Sequence, residues 1–127
     1  MTFQDYNQEV LRYYTLPNCM LNPKITRNKF DFIQLDWTQE DSDYTELFTF
    51  SDEYLFKSCP RSDYLERKYD VIVAADVLYE TKHYQSLLDL FAKKLTKGGS
   101  VVIVTKYFYY GNRGNIDFFM SYKICNL

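Results

Sequence analysis

An α/β fold built on a mostly parallel, doubly wound sheet is what this sequence predicts, and three observations carry the prediction. Two short apolar runs rich in β-branched residues, 71–75 (VIVAA) and 100–105 (SVVIVT), begin about thirty residues apart, the length of one strand–helix–strand unit. Between them Tyr84, Leu87, Leu88, Phe91 and Leu95 recur at the spacing of an amphipathic helix. Neither run is interrupted by a charged residue, the pattern of strands covered on both faces in a parallel sheet. The two strands are therefore expected to be parallel, with the helix as a right-handed crossover.

The remaining elements follow in chain order. Thr2, Phe3 and Gln4 read as the end of a strand. Asp5 with Gln8 has the spacing of a capping box opening a short helix that turns Val10, Leu11 and Tyr14 inward. Pro17 suits the start of another helical turn, and Asn22 and Pro23 end it. The stretch 30–35 (FDFIQL) mixes apolar and polar residues and is expected as a less buried strand at an edge. From 36 to 68 runs an insertion or irregular connector, too long for an ordinary loop, with a helix or small insertion expected around 45–56. After the crossover helix, Lys93, Lys94 and Lys97 complement its C-terminal dipole and Gly98 and Gly99 supply a left-handed stop. An aromatic and glycine loop, 106–114, then leads into a helix over 115–122.

Composition limits the function. The 127 residues form at most one domain. A formal charge of −2 argues against a general nucleic-acid binder. Cys19, Cys59 and Cys125 form no C-x-x-C pair and read as reduced thiols of an intracellular protein. With no long apolar stretch and no secretory leader pattern, a cytoplasmic or nuclear location and no membrane partner are expected. His83 is the sole histidine, which leaves a zinc site, a Ser-His-Asp triad and a Cys-His dyad without their parts; it reads as a helix-start residue. Seven acidic residues and no Lys or Arg fall between Asp36 and Glu53, a solvated loop or a surface for a basic partner. Thirteen Tyr and ten Phe exceed the needs of a small core, so some should line a cleft or await missing neighbours.

What remains stands at strand ends: Asp5 after the first strand, Asp36 and Trp37 after the second, Asp76 and Tyr79 after the third, Lys106 and its tyrosines after the fourth. Each has a plain structural role open to it, a helix cap or rim packing. Together they set acidic and aromatic groups along the edge where parallel sheets hold ligands. Such an edge suits a nucleoside, whose ribose hydroxyls donate to a carboxylate and whose base stacks on an indole.

In this order the segments resemble the seven-β-strand methyltransferases that use S-adenosylmethionine, and within them the protein-histidine N-methyltransferase family. FQDYNQEVL and TLPNCMLN are similar to that family's segment at the end of its second strand, LDW at 35–37 to the segment after the third, DVLY at 76–79 to an acidic-x-x-Tyr signature shared with protein-lysine methyltransferases, and KYFYYGNRG at 106–114 to the loop after the fifth. The resemblance implies a partial Rossmann-like methyltransferase domain over 1–127, strands two to five, without the family's first strand, glycine-rich cofactor loop and last strands. It implies S-adenosylmethionine as cofactor, held by Asp5 at the ribose with Tyr6 beside it, by Asp36 and Trp37 at the adenine and by Ala75 in the wall. Asp76 and Tyr79 would face a protein substrate, family substrates including a ribosomal protein. The residue modified would be histidine, with lysine as the alternative because AADVLYE reads closer to the lysine-modifying relatives; a non-catalytic remnant or partner subunit is the other reading.

Overall fold

The computed structural model describes residues 1–22, 30–38, 46–51, 54–58 and 64–125, of which 46–51, 54–58 and 123–125 by their backbone alone. It is mixed α/β with parallel strands, as expected, but the strands form two small sheets, one in each of two compact units, Met1–Glu66 and Arg67–Leu127.

In the first unit β1 (Thr2–Asp5) pairs in parallel with β2 (Phe30–Gln34), and β2 pairs antiparallel with β3 (Glu46–Ser51), which pairs antiparallel with β4 (Tyr54–Ser58). Two expectations are corrected here. The strand at 30 lies inside the sheet, with Phe30, Phe32 and Ile33 buried, because β3 pairs along its other side and β4 takes the edge. Of the helix or small insertion expected around 45–56, the helix is not formed by the described residues, 46–51 and 54–56, which are strand. Their Leu-Phe-Thr-Phe and Tyr-Leu-Phe segments are rich in the aromatic and β-branched residues that fit a pleated surface, and tertiary pairing with β2 decides between helix and strand. Residues 23–29, 39–45, 52–53, 59–63 and 126–127, and with them Pro23, Cys59 and most of the acidic run, lie outside the described residues.

Between β1 and β2 three helical pieces run on from one another: α1 (Gln8–Val10), a π-helical turn (Leu11–Thr15) and α2 (Leu16–Met20). The cap is Asn7, whose side chain accepts from the Glu9 amide at 2.9 Å, not Asp5. The π turn adds a residue to the repeat, so the inward face moves off phase: Leu11, Leu16 and Cys19 are buried while Tyr14, expected inside, is exposed. Pro17 sits in the first turn of α2 as predicted. Leu11, Leu16, Cys19, Phe30 and Phe32 make the core of this unit, with Phe3 stacked on Phe32 at 5.5 Å.

The second unit is the expected strand–helix–strand. β5 (Tyr69–Ala75) pairs in parallel with β6 (Leu95–Val104), aligning Val71 with Ser100 and Ala75 with Val104. A 3-10 turn (Thr81–His83) leads into α3 (Tyr84–Lys94), which buries Tyr84, Leu87 and Phe91 from the predicted stripe. Leu95 leaves the helix to start β6 opposite Tyr69, so Gly98 (φ 83°) serves a turn within the strand instead of the helix stop. Gly99 is demanded by space: a Cβ would stand 2.9 Å from the Asp70 carbonyl oxygen. α4 (Ile116–Cys125) closes the unit, capped by Asn115 through a 2.7 Å bond from the Phe118 amide.

The expectation that β5 and β6 are covered on both faces is corrected. Ile72, Ala74, Val101 and Ile103 point inward, but Val71 (59% exposed), Val73 (68%), Val102 (48%) and Val104 (61%) share an open face. The side chains are those of a doubly covered sheet, and among the described residues only one face has a cover. Among the described residues no helix is long and apolar enough to cross a membrane.

Candidate functional site

The sequence-predicted residues divide between the units, and each unit assembles its own set at the C-terminal ends of its parallel strands.

In the first unit the ends of β1 and β2 are joined beyond their last pairs. The Leu35 amide donates to the Asp5 carbonyl at 3.1 Å, the Gln4 side-chain amide donates to the Leu35 carbonyl at 2.6 Å, and that of Gln34 donates to the Tyr6 carbonyl at 3.3 Å. Asp5 and Asp36 are thus carried on neighbouring strand ends. Each then folds its chain into the same local turn: Asp5 Oδ1 accepts from the Asn7 amide at 2.7 Å, and Asp36 Oδ1 accepts from the Thr38 amide at 2.9 Å and the Thr38 hydroxyl at 2.6 Å. Such turns fix where a carboxylate points while using one of its two oxygens. Tyr6 is exposed and Trp37 half-buried beside them.

In the second unit Asp76 is the residue after β5 and adopts φ +52°. Its amide still donates to the Val104 carbonyl at 2.9 Å, one step past the ladder, so the chain must turn there, and the left-handed region is where aspartate is better tolerated than most residues. A non-glycine residue held in that region costs about 1–3 kcal/mol and marks a place the surroundings over-determine. Tyr109, from the loop after β6, donates its hydroxyl to Asp76 Oδ1 at 2.6 Å and lies 2.8 Å from the Thr105 hydroxyl. The Tyr79 ring meets the Tyr109 ring edge-on at 6.4 Å, and the Lys106 ammonium stands 5.7 Å from the centre of the Tyr109 ring. Ala75 pairs with Val104 on the open face.

The loops that carry these groups are bound together. The buried Tyr84 hydroxyl shares its proton between the Leu78 carbonyl (3.1 Å) and the Asn115 carbonyl (3.2 Å) and accepts from the Asn115 amide (3.1 Å). The Gly114 amide donates to the Tyr79 carbonyl at 3.2 Å. A Cβ on Gly114 would fall 1.9 Å from the Leu78 carbonyl oxygen, so only glycine permits this approach. Glu80 just beyond is held below the ordinary carboxylate range by the hydrogen bond from Lys82, with His83 3.6 Å away. His83 closes the 3-10 turn ahead of α3, the helix-start role expected for it.

The structure therefore brings Asp76 and Tyr79 together and adds Tyr109, Thr105 and Lys106 to them. It likewise brings Asp5 and Asp36 to neighbouring strand ends. Tyr109 escaped the sequence reading because it stands in a run of four aromatics, 107–110, with no period to single one out.

Parallel strands feeding acidic and aromatic side chains to their C-terminal edge make a mixed α/β chain consistent with part of a Rossmann-like methyltransferase fold. No protein-family model matches it. The chain is similar to curated proteins named Histidine protein methyltransferase 1 homolog: that of Dictyostelium discoideum is 29% identical over 91% of this chain and 31% of the relative, that of Bos taurus 29% identical over 94% and 34%, and that of Mus musculus 27% identical over 94% and 35%. The resemblance read from the sequence stands: the chain is similar to proteins named as histidine protein methyltransferases, and it spans about a third of the length of the curated relatives it matches.

Proposed function

We propose that this chain serves the transfer of a methyl group from S-adenosylmethionine to a ring nitrogen of a protein histidine. The observation that carries the reading is Asp76: a carboxylate at a strained left-handed strand tip, one oxygen engaged by Tyr109 and the other with no donor bonded to it among the described residues. Neutral imidazole predominates at pH 7 and already offers a lone pair on one nitrogen. Its other nitrogen carries N–H. Asp76, accepting that hydrogen, fixes the tautomer and the aim of the attacking nitrogen, and afterwards stands ready for the proton the methylated ring sheds. Tyr79 closes over the edge beside it and limits water.

The residues present fit the nucleoside part of the cofactor. Asp5, with exposed Tyr6 beside it, keeps one oxygen clear of its local turn for ribose hydroxyls, and Asp36 and Trp37 stand at the neighbouring strand end for the adenine. When bound, S-adenosylmethionine supplies a methyl group made electrophilic by its sulfonium. No glycine-rich cradle accompanies them, since all four glycines follow residue 97. The names of the relatives favour histidine over lysine as the target. A basic protein substrate, a ribosomal protein among them, suits the seven acidic residues of 36–53.

Two measurements test the reading. Calorimetric titration with S-adenosylhomocysteine is expected to give saturable binding that Asp5→Ala weakens. With labelled S-adenosylmethionine and a histidine-bearing basic protein, label is expected on histidine and should fall about 100-fold or more in Asp76→Asn, the scale of a lost positioned base. Label on lysine, or undiminished transfer by both Asp76→Asn and Tyr79→Phe, would sink it.

A further inference from the structure

We propose that Tyr109 is the positioning residue for Asp76, acting through a hydrogen-bonded file Thr105–Tyr109–Asp76; the proposal rests on reading Asp76 as the acceptor of the substrate imidazole. The direction of the file follows from chemistry. A carboxylate only accepts, so the Tyr109 proton lies on the 2.6 Å bond to Asp76 Oδ1. The phenol oxygen is then left as acceptor for the Thr105 hydroxyl at 2.8 Å, the shorter of that hydroxyl's two contacts, the other being to the Lys106 carbonyl at 3.3 Å. Both bonds polarise the same way, each strengthening the next.

Without Tyr109 the carboxylate would be loosely aimed. The terminal torsion of an aspartate is broad and roughly two-fold, and the left-handed backbone of Asp76 fixes its Cβ, not its oxygens. Tyr109 removes that freedom by taking Oδ1, and so selects Oδ2 as the oxygen that meets the substrate. Its own ring is well held: Lys106 stands off its face, Tyr79 meets it edge-on, and the Asn112 amide donates to its carbonyl at 3.3 Å in the turn at Gly111 (φ 78°). Phenylalanine at 109 keeps these ring contacts and loses only the hydroxyl.

The test uses the whole chain with carbon-13 at the Asp76 carboxyl, titrated with free imidazole. Tyr109→Phe is expected to shift the Asp76 carboxyl resonance while leaving the amide spectrum of β5 and β6 in place, and to weaken imidazole about tenfold, the scale of one charge-assisted hydrogen bond. Thr105→Val, which keeps the phenol, should weaken it less, and it carries the test if Tyr109→Phe does not fold. In an Asp76→Asn background the Tyr109→Phe change should add nothing. An unmoved Asp76 resonance in both single variants, or an equal loss with and without Asp76, overturns the proposal. If imidazole fails to bind the unaltered chain while Tyr109→Phe still moves the Asp76 resonance, the positioning holds and the histidine reading fails.

Discussion

Tyr84 and Tyr69 both bury a hydroxyl in the second unit, with opposite consequences. That of Tyr84 meets three backbone groups of two loops, whereas that of Tyr69 has no hydrogen-bond partner among the described residues. Tyr84→Phe is expected to cost about 1–3 kcal/mol in denaturant unfolding, since the buried partners lose their donor and acceptor. Tyr69→Phe removes an unsatisfied group and should be neutral or stabilising. Burial also pushes the Tyr84 phenol above its ordinary 10.0, against a smaller opposing effect of the Asn115 backbone. The unfolded chain therefore ionises first as pH rises past 10, the unfolded state binds fewer protons there, and stability falls. Below that pH the contribution is fully present; Tyr84→Phe should flatten this alkaline loss. At this scale Asp76 and Tyr79 were legible because they end an apolar run. Tyr109 was not, since only the fold selects it from its aromatic neighbours.

The β5–α3–β6 element was legible apart from the start of β6, which begins at Leu95 and not at 100, because two periods, that of a strand and that of a helix, alternate along it. What the pattern does not reveal is which face of a β-branched strand is covered. Val73 and Leu87 look alike as apolar residues, yet one is 68% exposed and the other 2%. Leu87→Ala is expected to cost about 2–5 kcal/mol by leaving a cavity, and Val73→Thr within about 0.5 kcal/mol as a surface change; equal melting shifts for the two would contradict the packing described. The π turn at Leu11–Thr15 had no sequence signal at all. Its composition is that of any helix, and it was visible only through its effect, the exchange of Tyr14 for Leu16 on the buried face. In the hairpin β3–β4 the strand-forming residues were present, but acidic neighbours masked their period.

As a whole the molecule has strands whose side chains expect more neighbours than the described residues supply. β5 and β6 form a two-stranded sheet, so each is an edge, and the valines of one face are open. Unpaired edges and apolar faces promote association. Light scattering of the purified chain should therefore rise with concentration, and Val73→Lys with Val102→Lys, a paired and exposed set, should suppress it; no change would mean that the face is inert. The class of fold was readable because it depends on order and periodicity. The division into two sheets was not, because pairing partners are a tertiary property. That division bears on how the chain comes into being. Thr2 meets Asp31 and Val71 meets Ser100, so every strand pairing described is made within one unit and over a short span. A parallel pair closes more slowly than a hairpin, but each lies inside its own unit and domains form in order of synthesis: the strand ends bearing Asp5 and Asp36 can be complete while Tyr109 has yet to be translated.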